Sequence, residues 1–256
     1  YVLWLKALLQ GDLGLSYRTG QPVVTMIAQR VVPSLILTGT GVAAAILLGI
    51  PLGVMAAWKP KSGWGKLAGG LTLLSFSAPG FFLCVLAIFL FSVVLGWLPA
   101  AGMYSAGGGG SVGDLLLHLI LPAGVVCLSS LGNLVRQTAS ACGEVLGEDY
   151  IRTARAKGLP EWAVVWKHGF RTALLPVVTT ILNHIPHIIG GSLIVERIFG
   201  WPGMGSLLFT SVSSRDYTVI MGLTVVIALT VLATGILMDL VYRLADPGVG
   251  WGGEAR

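Results

Sequence analysis

Glu148–Pro176 reads EDYIRTARAKGLPEWAVVWKHGFRTALLP, a charged island between long uncharged apolar runs. In water such a stretch forms an ordinary surface helix. Between membrane spans it is a cytoplasmic handle, available to something that pushes on the protein from outside the bilayer. The reading of the whole chain therefore turns on what flanks it.

Of the 256 residues, 55% are hydrophobic and only 11% charged, with mean hydropathy +0.85. Soluble domains carry about 25% charged residues. The main solvent is lipid, which permits two backbone solutions, a helix bundle or a closed barrel. Barrel strands alternate polar and apolar residues over about ten positions. The apolar runs here are longer and do not alternate, so the fold class is all-α, a polytopic membrane helix bundle. The net charge of +5 does not indicate a nucleic-acid partner, because most basic residues flank apolar runs. Cys84, Cys127 and Cys142 match no metal-ligand spacing and read as small core residues.

About 20 apolar residues cross a bilayer as a helix. Five spans are predicted, near Ser34–Trp58, Leu71–Leu95, Leu115–Val135, Thr172–Val195 and Val219–Tyr242. The chain then divides into an extracytoplasmic segment 1–33, a membrane domain 34–243 and a cytoplasmic tail 244–256. One set of connecting loops holds eleven Lys and Arg residues and the other five. The richer set, which includes the island and Arg243, is cytoplasmic by the positive-inside rule, as is the C-terminus. Five crossings leave Tyr1 outside, and one further N-terminal helix would explain that. Pro51, Pro79, Pro122, Pro176 and Pro186 read as kinks or as hinges. Gly39, Gly41, Ala43, Ala44, Ala45, Gly49 and Gly53 predict a tightly packed face on the first span without identifying its partner.

Within the island, Asp149–Lys157 lacks Gly and Pro. Glu148 and Arg152 stand at i, i+4, with the acid N-terminal. Tyr150, Ile151 and Ala154 fall on one side, and Arg152, Arg155 and Lys157 make much of the remainder basic. Gly158 supplies a left-handed end and Pro160 follows. A second helical stretch, Trp162–Arg171, leads back to the membrane. This unit is either an interfacial connector bound to lipid phosphates or a docking element for a soluble partner.

The fourth span holds Asn183, His184 and His187. Asn183 and His187 share a face at i, i+4, and His184 and His187 are neighbours at i, i+3. They read as interhelical hydrogen-bonding groups or as pathway-lining residues. Two His on one helix are too few for a metal site, and none is assigned. Glu196, Arg197, Phe199 and Trp201 open an outer loop, where they form an interfacial anchor, or else an outer gate or a contact with a partner outside the membrane.

RTARAKG at Arg152–Gly158, followed by LLP at Leu174–Pro176, resembles the EAA loop of ABC-importer permeases. The wider string DYIRTARAKGL resembles their dipeptide/oligopeptide/nickel branch. GDLGLSYRTGQPV at Gly11–Val23, GWLPAAGM at Gly96–Met103, VERIFGWPGMG at Val195–Gly205, RDY at Arg215–Tyr217 and DLVYRLADPGV at Asp239–Val249 resemble other parts of that branch in the same order. The resemblance covers nearly the whole chain and implies a type I ABC importer transmembrane domain whose first helix is missing here. It implies a bacterial or archaeal cytoplasmic-membrane location and a second homologous permease subunit. Two ABC ATPase subunits and an extracytoplasmic substrate-binding protein complete the implied assembly, and surrounding lipid contacts the spans. The coupling helix implied is about 148–159. Its ATPase-coupling residues would be Glu148, Asp149, Tyr150, Arg152, Thr153, Ala154, Arg155, Lys157, Gly158 and Leu159. Arg152 and Thr153 stand where the general pattern has Glu and Ala, so a Glu-based contact does not carry over.

No Walker A pattern occurs, and the Gly107–Gly110 run lacks the Lys-Ser/Thr that follows a phosphate loop. The expected subunit is non-catalytic and holds no cofactor, with ATP and magnesium on the ATPase partners. The resemblance implies import of di-/oligopeptides, or alternatively of nickel or a metal–chelator complex. A passive channel leaves the island unexplained, and an intramembrane enzyme lacks HExxH, GxSxG or paired intramembrane Asp.

Overall fold

The structure is a computed structural model describing Lys6, residues 8–107 and residues 110–245. Among these residues everything regular is helical except one isolated antiparallel bridge, Leu15 to Pro22. The helices are α1 (Val23–Trp58), α2 (Gly63–Ser77), α3 (Gly80–Ala87), α4 (Val112–Leu146), α5 (Asp149–Ala156), α6 (Glu161–Ala163), α7 (Leu174–Leu182), α8 (Ile185–Gly190), α9 (Leu193–Ile198), α10 (Met204–Ser213) and α11 (Tyr217–Ala245). Two π-helical segments, Ile88–Val94 and Val164–Phe170, continue α3 and α6. Four helical stretches are long and apolar enough to cross a membrane, and five if α2 and α3 form one broken span.

Four of the five predicted spans are present with altered bounds, and the remaining one is a pair of helices bent by 107°. α1 starts eleven residues before Ser34 and carries Arg30 inside it, because no breaker follows Pro22 in VVTMIAQRVV. Leu71–Leu95 is not one helix. The chain breaks at Ala78–Pro79, where Pro79 is extended (φ −60°, ψ 137°). α4 runs past Val135 to Leu146, because the sequence beyond Arg136 continues to bury one side through Ala141 and Cys142 until Gly147. The fourth span is interrupted at Asn183–His184 and again at Gly191, whose φ is +75°. α11 matches the expected fifth span closely. Two expectations fall partly outside the described residues, the outer-loop reading at Gly108–Gly109 and the cytoplasmic tail from Asp246 onward.

The chain forms two compact units. The first comprises the described residues up to Ala45, Phe76–Ser130 and Pro186–Leu229. Its core joins Val23 and Ile27 of α1 to Met204 and Leu207 of α10 and to Val219 and Leu223 of α11. The second comprises Ile46–Ser75, Leu131–Ile185 and the residues from Thr230. There Val54 packs with Ala141, Cys142, Val165 and Ala173, and Ala68 packs with Leu131 and Val135. All three cysteines are buried and free, as small core residues should be. His118 is also buried, with Nδ1 2.9 Å from the Asp114 carbonyl oxygen.

The small residues of α1 acquire a partner. Gly41, Ala45, Gly49 and Gly53, spaced by four, are buried, whereas Ala43 faces outward. In the second unit a Cβ on Gly49 would stand 3.0 Å from Leu134, and one on Gly53 would stand 2.5 Å from Thr138. Both contacts advance four residues in the same direction, so α1 and α4 run parallel there. In the first unit Gly41 abuts Val126 in the same way. Lipid supplies no hydrophobic drive between helices, so this close van der Waals approach is what holds them together.

Candidate functional site

The island is the two-helix element its sequence predicts. Glu148 is extended (φ −69°, ψ 152°) and precedes α5 without capping it through its side chain. The far end of α5 closes with Leu159 N–H donating to Ala154 O (3.4 Å) and Gly158 N–H donating to Arg155 O (2.9 Å). With Gly158 at φ +73°, these two bonds form a complete Schellman motif. Pro160 then turns the chain into α6. Ile151 and Ala154 bury one side of α5 against Val164, Val145 and Leu146.

That docking divides the predicted coupling residues. Ala154 is covered by its own chain and seats the helix, so it offers nothing to a partner. Tyr150 does not join Ile151 and Ala154 on the buried side; it is exposed, and its hydroxyl lies 3.1 Å from Thr172 Oγ1. Glu148, Asp149, Arg152, Thr153, Arg155, Lys157, Gly158 and Leu159 all face outward. The expected Glu148–Arg152 pair does not form. Glu148 lies before the first helical turn, so Arg152 bonds Asp149 instead, at 3.1 Å and i, i+3. Arg155 makes an unforeseen ion pair with Glu161 across the Gly158 turn, at 2.9 Å. The result is a small helix with a fixed end and a free polar face, held rigidly on two longer elements.

Asn183 and His184 stand in the turn between α7 and α8, and His187 lies on α8. Asn183 and His187 are exposed and His184 is half-buried. The turn at Asn183–His184 (His184 N to Ile181 O, 3.0 Å) removes the continuous helix that the i, i+4 and i, i+3 relations required. Among the described residues no group of three or more His, Cys, Asp or Glu gathers as a metal site.

The outer-loop candidates are placed inside the first unit rather than on its surface. Glu196, Phe199 and Trp201 are buried, and only Arg197 is exposed, its guanidinium 4.8 Å from the Phe209 ring. Glu196 Oε1 accepts from Ser34 Oγ (2.7 Å) and Oε2 from Ser206 N–H (2.9 Å), while Ser34 Oγ accepts from Met204 N–H (2.7 Å). Trp201 Nε1–H donates to Pro33 O at 2.8 Å. Gly191 and Gly203 line the carboxylate so closely that a Cβ on either would collide with it. The loop is therefore a packed knot bound to α1, and neither an interfacial anchor nor an exposed contact describes those three residues.

Sequence reasoning also passed over a second outer knot. The Asp216 carboxylate accepts from Ser16 Oγ and from Tyr17 N–H at 3.2 Å, joining the Gly11–Val23 and Arg215–Tyr217 strings. Burial opposes ionisation of Asp216, but the hydrogen bonds from Ser16, Tyr17, Val219 and Arg18 outweigh it and hold its carboxyl below the usual carboxylate range. The only signal for this in the sequence was that two outer strings were both recognisable.

The described residues thus form an all-helical bundle with helices long and apolar enough to cross a membrane, and it presents one small charged helix. A chain of the MetNI methionine ABC transporter superposes with TM-score 0.64 at 17% identity, over 84% of this chain and 96% of that one, which establishes the fold. The chain belongs to the family of binding-protein-dependent transport system inner membrane components, which matches residues 49–251. Among relatives, the oligopeptide transport system permease protein AppB of Bacillus subtilis is 42% identical over 253 residues, covering 97% of this chain and 79% of AppB. The glutathione transport system permease protein GsiC of Pectobacterium atrosepticum is 39% identical over 248 residues, covering 96% of this chain and 77% of GsiC. The protein is thus a multi-pass membrane permease subunit of a binding-protein-dependent transport system. That membership implies association with ATPase and substrate-binding components.

Proposed function

We propose that this chain forms half of the translocation pathway of an ABC importer for di-/oligopeptides, paired with a second homologous permease subunit. Two ATPase subunits carrying ATP and magnesium engage α5 and its Gly158 turn from the cytoplasm, where the C-terminus also lies. An extracytoplasmic binding protein delivers the substrate. This chain is non-catalytic and holds no cofactor. The single observation that carries the reading is the outward polar face of α5 on a rigid mount, in a chain 42% identical to an oligopeptide permease. Closure of the ATPase dimer then moves residues 149–159 as a body, and the membrane helices follow. The peptide-related names among the relatives favour peptides over nickel or a metal–chelator complex.

Co-purification of the assembled complex tests this directly. Two ATPase subunits and one other permease are expected, with ATP-dependent uptake of labelled di- to pentapeptides into proteoliposomes. Disulfide trapping from Arg152→Cys to an ATPase subunit locates the contact. Peptide-independent uptake of Ni²⁺, or an Arg152→Cys residue that traps only lipid or solvent reagent, would overturn it.

A further inference from the structure

We infer that the hairpin tip Tyr17–Gly20, together with Arg215 and Tyr217, is a docking surface for an acidic patch on the extracytoplasmic binding protein. This rests on the orientation and partners proposed above.

The first observation is Arg215. It is the one non-glycine residue with positive φ (+56°) among the described residues. Its position is that of a helix-ending glycine. Asp216 N–H donates to Ser211 O (2.9 Å) and Arg215 N–H to Val212 O (3.1 Å), so α10 ends in a Schellman motif with Arg at the left-handed site. Glycine would suit that backbone better. A side chain set at odds with local conformational preference points to a use for it, and this one is exposed.

The second observation is what surrounds it. Asp216, the next residue, fixes the hairpin through Ser16 and Tyr17, and the Leu15–Pro22 bridge closes its base. The tip is thereby rigid, yet Tyr17 is 79% and Tyr217 60% exposed. Arg18 and Arg215 are exposed, and among the described residues neither guanidinium has a carboxylate partner. Tyr and Arg are side-chain types that dominate binding energy at protein interfaces, and two cations without a carboxylate partner select an acidic partner.

The third observation concerns height. We place the edge of the hydrocarbon near Arg30, because a charge there must reach water. Val23 is seven residues further out along α1, about 10 Å at the helical rise per residue. Headgroups occupy roughly 5–7 Å per side. The hairpin before Val23 therefore stands in water beyond them, which favours a protein over lipid.

The test uses the complete importer in nanodiscs and measures ATPase stimulation against binding-protein concentration. Arg215→Gly is the decisive variant, because it relaxes the backbone while deleting the cation. It should leave the melting temperature unchanged or higher and raise the half-saturating binding-protein concentration about ten-fold. The rate at saturation should approach wild type. Tyr17→Ala and Arg18→Glu should act in the same direction, and high salt should shrink the difference. Thr19→Cys carrying a photo-crosslinker should capture the binding protein. Half-saturation within two-fold of wild type for all three variants overturns the inference while leaving the importer reading intact. So does an effect that follows only the anionic lipid content of the disc. A wild-type complex that no binding protein stimulates removes the importer reading itself.

Discussion

The Arg155 guanidinium reaches over the Gly158 turn to the Glu161 carboxylate, 2.9 Å away, and so ties the last turn of α5 to the first residue of α6. Both side chains are about half exposed, so the pair contributes little to global stability, under about 1 kcal/mol. Its effect is on the angle at which α5 is presented. Arg155→Glu or Glu161→Arg alone should lower uptake per ATP hydrolysed about two- to three-fold, and the charge-reversed double variant should recover most of it. A double variant no better than either single change would show that the tie is irrelevant to coupling.

Gly158 is a purer case. A Cβ there meets nothing within 4 Å, so any cost of substitution is conformational, not steric. Left-handed backbone costs an L-residue about 1–2 kcal/mol, and Asn tolerates it best. Gly158→Val should unseat the turn and uncouple uptake from ATP hydrolysis by at least about ten-fold, whereas Gly158→Asn should retain most coupling. Uptake and hydrolysis measured together in proteoliposomes decide the point, and equal coupling ratios in the two variants would contradict it.

Glu196 anchors the knot bound to α1, so truncating it strands the Ser34 hydroxyl and the Ser206 N–H. Glu196→Ala should destabilise the subunit by about 2–4 kcal/mol, since two buried donors lose both bond and solvation. Gly203→Ala should be similarly harmful, because its Cβ would occupy the space of that carboxylate. Melting of the solubilised subunit, followed by tryptophan fluorescence, should drop for both.

Asp216 predicts a pH response. Its folded-state carboxyl titrates below the ordinary range, so the stabilisation it confers is complete at neutral pH. It is lost only as pH falls through that depressed value. Protection of the 16–20 hairpin amides from hydrogen exchange, corrected for intrinsic rates, should stay flat from pH 7 to about 5 and fall below about 4. Asp216→Asn should already be deprotected at pH 7, with faster trypsin cleavage after Arg18.

Gly53 and Gly70 form a matched pair on neighbouring helices. A Cβ at Gly53 would lie 2.9 Å from the Val135 carbonyl, which is backbone and cannot yield, whereas at Gly70 nothing stands within 4 Å. Gly53→Ala should cost about 1–3 kcal/mol. Gly70→Ala should be neutral or slightly stabilising, since it also raises helix propensity. Thermal unfolding in one detergent compares them.

Composition and run length were enough to read the helical class, four of the five apolar spans and the end of α5. These are local properties: a long apolar run without alternation satisfies its backbone in lipid as helix, and a glycine followed closely by proline stops one. The stripe of glycines on α1 was legible as a packing face for the same reason. What neighbours a residue across the fold was not legible. Glu196 and Trp201 looked like loop surface because they are a charge and an indole beside turn residues. Their burial comes from Ser34 and Pro33, more than 160 positions away in the chain. Arg152 was assigned to Glu148 because spacing carries no information on where the first helical turn begins. Asp216 and Ser16 lie 200 residues apart and share no pattern. Their pairing arises from long-range packing, in which each buried polar atom takes the donor that the assembled helices leave within reach.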